Sequence, residues 1–441
     1  MEATQATISS GGVRSHGAVL APGIGHRYST NTGSDSCESS SRNVACPNCG
    51  LFPAEEDQFG NGSVCCRRCR SPLARCAGKS LDAALACALA TCLLLIPISF
   101  EPFLTTYALG ETRTSILPSS VSILWQEGLP VLGSVIGLFV LIFPAIRFGA
   151  LSAVLLTVRT ASRPRWLGAL FRYANALETW AMLDVFLLGF VVAYARLRVS
   201  IVVTIEIGAM CYIAAAVLSL FVRATLDKAR VWQLIAPNSN WCGSRPSMNC
   251  HGCGLPVTQG PEACRCPRCR ALLRSRKPNS LTTPVALLIA AALLYFPANL
   301  YPIARIPIDL QPTSYTVIGG IVDLVQGQFY ALAALVFSAS FAIPLLKIFG
   351  LSWCAASLMR RSSQHLVGKT RIYRWLEEIG RWSMIDPFTI ACFVPVIHFN
   401  SLIDGRAEPA ATPFAAVVIL TTLAVKAFDS RRMWDVAEHT N

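Results

Sequence analysis

Residues 129–158 read LPVLGSVIGLFVLIFPAIRFGALSAVLLTV, and residues 329–359 read FYALAALVFSASFAIPLLKIFGLSWCAASLM. Each is an almost unbroken apolar run of about 30 residues, with a proline inside it (Pro144, Pro344) and one basic residue beyond that proline (Arg147, Lys347). Apolar sequence of this length spans a membrane, because ~20 helical residues cross a hydrocarbon core ~30 Å thick. As helices these runs extend ~45 Å, so they must tilt, kink or protrude, and the prolines are kink points.

Working outward, a hydropathy window adds apolar blocks at Leu81–Ser99, Thr179–Ala195 and Val202–Val222, then at Leu281–Asn299, Trp382–Asn400 and Pro413–Phe428. With the two runs above they make eight. The fold class expected is an all-α polytopic membrane protein. Composition agrees: charged residues are 14% of the chain, against roughly 25% in soluble domains. Mean hydropathy is +0.48. An ordinary soluble enzyme is excluded. The formal net charge of +13 suggests nucleic acid, but apolar blocks this long exclude it and assign the basic residues to loops.

Those basic residues give an orientation. With the N-terminus inside, the inward segments hold 31 of the 38 Lys and Arg, and the outward loops hold 5. The positive-inside rule therefore puts both termini in the cytoplasm. The two left over are Arg147 and Lys347, inside the membrane blocks. Residues 1–43 are rich in Ser, Gly and Thr and are expected to be disordered, with no signal-peptide pattern.

The halves repeat at an offset of 200 to 204 residues. Pro97 and Pro102 fall on Pro297 and Pro302, Gln126 on Gln326, Pro144 on Pro344, and Arg147 on Lys347. Trp180-Ala-Met-Leu-Asp184-Val-Phe186 falls on Trp382-Ser-Met-Ile-Asp386-Pro-Phe388. Four blocks per half give both copies the same orientation. The expectation is two parallel four-helix transmembrane repeats, at 79–234 and 279–436.

Ahead of each repeat lie paired cysteine knuckles: Cys46, Cys49, Cys66 and Cys69 within 44–78, and Cys250, Cys253, Cys266 and Cys269 within 248–277. Two Cys-x2-Cys turns direct four thiolates at one ion, as in a zinc ribbon. Gly50 and Gly254 follow the first knuckles and suit tight turns. Cys65 and Cys264 are spare neighbours able to substitute as ligands. Disulfides are disfavoured on the cytoplasmic side, and a redox dithiol needs one Cys-x2-Cys rather than four. Two structural Zn2+ are expected, with iron in a rubredoxin-like site as the rival. A closed four-thiolate shell leaves no position for substrate.

A Lys or Arg at the bilayer centre costs roughly 2.5–3.5 kcal/mol on insertion scales. The pairs expected are Arg147–Asp184 and Lys347–Asp386, one per repeat. They read either as a polar site for headgroups or protons, or as ion pairs that hold helices together.

Duplicated four-cysteine knuckles ahead of four membrane helices with a Trp-x-Met-x-Asp-x-Phe motif resemble the paraquat-inducible protein A (PqiA/LetA) family, over about residues 44–436. The resemblance implies an inner-membrane protein that moves phospholipid between inner and outer membranes with a periplasmic MCE-domain partner. Pro387 stands where the first copy has Val185, so the seventh helix is expected to begin differently. No Gly-x4-Gly-Lys-Ser/Thr sequence is present, so an ATPase motor is not encoded here. With neither a nucleophile–base pair nor an open metal position, the reading is a non-enzyme. The alternative is a zinc- or redox-responsive membrane sensor that uses the ribbons as receivers.

Overall fold

The computed structural model describes residues 46–438 except 52–55, 60–62, 76–79, 109–110, 127, 161–162, 201, 237–247, 258–264, 303, 309–310, 363, 386, 390–391, 393–405 and 408–409. The N-terminal tail, Cys264, Asp386 and most of the Trp382–Asn400 block lie outside the described residues.

The chain enters through a small antiparallel sheet of β1 (Glu56–Phe59), β2 (Ser63–Cys66) and β3 (Pro72–Arg75). Helix α1 (Leu81–Phe100) starts where Ser80 caps it, its hydroxyl accepting from the Ala83 N–H. A hairpin of β4 (Leu104–Ala108) and β5 (Glu111–Ser115) follows, then α2 (Leu117–Gln126) and the 30-residue α3 (Pro130–Arg159). After α4 (Leu167–Ala176) and α5 (Leu183–Ser200), β6 (Val202–Ile205) returns to pair with β4. Helices α6 (Ile207–Thr225) and α7 (Lys228–Ile235) complete this half.

From β7 (Met248–Asn249) and β8 (Pro256–Val257) the chain passes to α8 (Thr282–Leu300), β9 (Ala304–Ile308), β10 (Gln311–Tyr315) and α9 (Val317–Gln326). It continues through α10 (Tyr330–Met359), α11 (Leu366–Ile379), β11 (Arg406–Ala407), α12 (Ala411–Ala427) and α13 (Arg431–Glu438).

Among the described residues six helical stretches are long and apolar enough to cross a membrane, with the shorter apolar α12 beside them. Only 22–50% of each span's apolar window is buried. The remaining apolar faces, such as Leu93, Ile96 and Phe100 on α1, point outward, which lipid tolerates and water does not. The chain is a multi-pass membrane protein. Helices α1 and α6 pack together, and the buried residues on both include small ones, Ala84, Ala88 and Thr91 on α1 and Ala209, Ala215 and Ala216 on α6.

One feature departs from the expectation. The fold is mostly helical but not all-α, since the sheets β5-β4-β6 and β10-β9-β11 cap one end of the spans. Strands of two to five residues leave no mark in a membrane-length window. The prolines Pro144 and Pro344 lie inside their helices, where kink points were expected. Each follows a π-wound segment, Gly137–Ile142 and Ser338–Ala342, after which the helix continues to Arg159 or Met359. Proline supplies no N–H and crowds the carbonyl four residues back, and a widened turn relieves both effects.

At the opposite end the ribbons dock crosswise. The first ribbon packs its buried thiols with Trp434 of α13 and with Leu366 and Val367 at the start of α11, both late in the chain. Ser430 donates to the Asn48 carbonyl at 3.0 Å, Arg431 to that of Pro47 at 3.0 Å, and Arg68 lies 4.7 Å from the Trp434 ring centre. The second ribbon lies on the early helices: its Arg268 carbonyl presses on Gly168 of α4, and Gly252 lies against Arg172.

Candidate functional site

Each ribbon brings its four cysteines to one point. In both clusters the sulfur atoms all lie within 4.8 Å of one another. The closest approaches are Cys46–Cys69 at 3.4 Å and Cys49–Cys66 at 3.7 Å, and Cys250–Cys269 at 3.4 Å and Cys253–Cys266 at 3.5 Å. A tetrahedral ion with metal–sulfur bonds of about 2.3 Å sets its sulfurs about 3.8 Å apart, so both clusters fit a metal of that size. Zinc meets this donor set, and so does tetrahedral iron.

The same backbone turn builds all four knuckles. The N–H of the residue after each second cysteine donates to the carbonyl of the first: Gly50 to Cys46, Arg70 to Cys66, Gly254 to Cys250, Arg270 to Cys266. That residue takes the left-handed conformation, easy for Gly50 (φ 76°) and Gly254 (φ 71°) and less so for Arg70 (φ 57°) and Arg270 (φ 55°). Hydrogen bonds with Cys46 and Cys49 pull the Cys69 thiol down to about 2. Those with Cys253, Cys266 and Cys269 drive Cys250 down further. The same mutual hydrogen bonds hold Cys49 and Cys253 high, so an ion bound by all four sulfurs must displace protons. Cys65 stands on β2, outside the cluster.

The intramembrane charges are partnered differently from the pairs expected. Arg147 reaches Glu178, at 3.7 Å, and not Asp184. Asp184 instead accepts from Arg223 at 2.8 Å and faces Arg381 at 3.8 Å. Lys228 meets the other oxygen of Glu178 at 2.5 Å. Arg381 belongs to the later half of the chain, so Asp184 bridges the halves.

Lys347 is 1% exposed, and neutral oxygens surround its ammonium: the Gly380 carbonyl and Ser383 Oγ at 2.8 Å, Thr422 Oγ1 at 3.2 Å and Thr421 Oγ1 at 3.5 Å. Its expected partner Asp386 lies outside the described residues. At the 202-residue offset Glu178 corresponds to Gly380, so the basic residue of each half turns to the same position. A carboxylate holds it in one half and a backbone carbonyl in the other. Glu178 and Arg223 escape the sequence reading because each falls one residue beyond an apolar block. The signal available was the alignment of Glu178 with Gly380.

The halves meet where the two Trp-x-Met-x-Asp-x-Phe segments cross. Phe186 packs on Phe388 with ring centres 5.5 Å apart, and the Thr389 hydroxyl donates to the Gly189 carbonyl at 3.3 Å. Lys426 lies 5.3 Å from the ring centre of Trp180.

Spanning helices with two four-cysteine ribbons docked at one end define a multi-pass membrane protein with two modules that could hold metal ions. No solved structure gives a significant match to the chain. The chain belongs to the family described as Paraquat-inducible protein A, which it matches twice, over residues 81–236 and 281–438. It is 29% identical over 401 residues to lipophilic envelope-spanning tunnel protein A of Escherichia coli (strain K12), covering 90% of this chain and 92% of that relative. It is 28% identical over 403 residues to intermembrane transport protein PqiA of the same strain, covering 89% and 96%. A probable intermembrane transport protein of Haemophilus influenzae is 26% identical over 380 residues.

Proposed function

We propose that this protein is the inner-membrane component of a lipid-transport system that joins the inner and outer membranes and works with a periplasmic MCE-domain tunnel protein. The observation that carries the reading is similarity along about 90% of the chain to relatives named for intermembrane transport and for an envelope-spanning tunnel. Its architecture in this reading is two parallel four-helix repeats, 79–234 and 279–436, each behind a cytoplasmic zinc ribbon, 44–78 and 248–277. Both termini are cytoplasmic. The two zinc ions are structural, and the sheets beyond α1 and α8 face the periplasm as the surface for the MCE partner. Arg147, Asp184, Lys347 and Asp386 form the intramembrane polar site, where proton coupling would take place.

Photoreactive residues beside Asp184 and Asp386 test the reading in cells. Phospholipid trapped at these positions supports transport, and its absence under conditions that capture bulk lipid elsewhere refutes it. Cysteines placed at Ser119 and Thr313 are expected to react with an impermeant reagent outside intact cells, while one at Ser34 stays protected. The opposite labelling overturns the orientation.

A further inference from the structure

Among the described residues four cations, Arg147, Arg223, Lys228 and Arg381, surround two carboxylates, Glu178 and Asp184. The one other acid within ion-pair range among the described residues, Glu378, is 82% exposed and 3.9 Å from Arg381, so water screens it. Among the described residues two positive charges are left over. They are not spread on a wet surface: the side chains of Arg147, Arg223 and Arg381 are 4%, 16% and 17% exposed. Like charges gathered in a poor solvent repel strongly unless an anion joins them.

The hydrogen-bonding inventory points the same way. Arg147 Nη1 and Arg223 Nε are buried and have no protein acceptor. Asp184 Oδ1 is also unpartnered, but Arg223 and Arg381 already offset the charge of that carboxylate. Lys347 in the later half shows what a satisfied buried cation looks like here, with four oxygens around one ammonium. Of these buried cations, Arg147 and Arg223 keep unused donors and Lys347 does not.

We infer that Arg147, Arg223 and Arg381 form a binding site for the phosphate of a phospholipid headgroup, at the ribbon-side end of the helix bundle. The choice of lipid over free phosphate rests on the transport reading and on place: Ile142 and Ile146, in the turn before Arg147, are half exposed on an outward face where acyl chains can lie. A phosphodiester carries one negative charge and two free oxygens. Those oxygens accept from Arg147 Nη1 and Arg223 Nε, the donors this cluster leaves unused. Guanidinium serves better than ammonium here because it is always charged and donates in more than one direction.

The test uses the full chain, purified and exchanged into nanodiscs of phosphatidylethanolamine and phosphatidylglycerol, then released for native mass spectrometry. One tightly retained phospholipid per chain is expected. Arg147→Gln and, separately, Arg381→Gln should each lower its retention at least tenfold, while Arg159→Gln, a basic residue near the end of the same helix, should not. Arg381→Gln keeps the test open if Arg147→Gln fails to fold, and circular dichroism reports which case holds. Diacylglycerol, which lacks phosphate, should not be retained. Equal retention of diacylglycerol, or unchanged retention in both variants, overturns the site. Binding of inorganic phosphate without retention of phospholipid overturns the headgroup assignment. The assay needs neither partner nor transport, so failure of the transport reading in cells is told apart from failure of the site.

Discussion

At the scale of single residues, the cysteines and the buried ion pairs carry the sharpest tests. The wild-type chain should hold two metal ions, and Cys49→Ser or Cys253→Ser should leave one, measured by elemental analysis of reduced protein. Cys65→Ser should leave the content at two, because that thiol stands outside the cluster. Among the ion pairs, Asp184 and Arg223 make the closest buried contact, at 2.8 Å. Asp184→Asn strands Arg223 and Arg381 together, a change expected to cost about 3–5 kcal/mol. Adding Arg223→Gln should recover part of that loss in thermal unfolding. A cycle between Asp184 and Arg147 should give a smaller coupling, because Arg147 makes its contact with Glu178. If the coupling to Arg147 is the larger, the pairing described above is wrong.

At the scale of elements, α4 is where one missing side chain decides a docking. A Cβ on Gly168 would lie 2.0 Å from the Arg268 carbonyl oxygen, and that oxygen is backbone held inside a metal knuckle. Neither partner can yield cheaply. Gly168→Ala should therefore lift the second ribbon from α4 at a cost of roughly 1–3 kcal/mol. Hydrogen exchange across residues 250–270 should rise, and a chelator should strip the second site first. The first site serves as the internal control, since it rests on α11 and α13. Unchanged exchange in the second ribbon would show that the α4 contact does not hold it.

At the scale of the whole molecule, the knuckles of each ribbon rest on the half of the chain they do not precede, while Arg276 and Lys277 at the end of the second ribbon also bind Asp435 and Asp429 of the later half. Losing the first ion should loosen the start of α11 and also α13, where Ser430 and Arg431 bind the knuckle carbonyls of Asn48 and Pro47, 382 and 384 residues upstream. In Cys49→Ser the exchange protection of 431–438 should fall well before that of 228–235. Protection lost equally at both, or first at 228–235, would mean that the ribbons stabilise their own halves. The Arg381–Asp184 and Lys426–Trp180 contacts join the halves inside the bundle as well, so relative motion of the halves must break contacts at both levels.

The amino-acid sequence by itself determined the membrane class, the long apolar runs and the two four-cysteine sets, because each is written in local composition or in spacing of a few residues. It also marked Arg147 and Lys347 as exceptional, since a lone charge in apolar sequence stands out whatever surrounds it. What only the tertiary structure decided is partnership. Glu178 and Arg223 sit at block edges where a charge is ordinary, and only the packing of α3, α5 and α6 brings them to Arg147 and Asp184. Neutral oxygens around Lys347 carry no charge signal in a sequence at all. The crossing of the ribbons is of the same kind: residues 46–69 meet 430–434 through surfaces on separate elements, and their distance along the chain says nothing about which half will receive them.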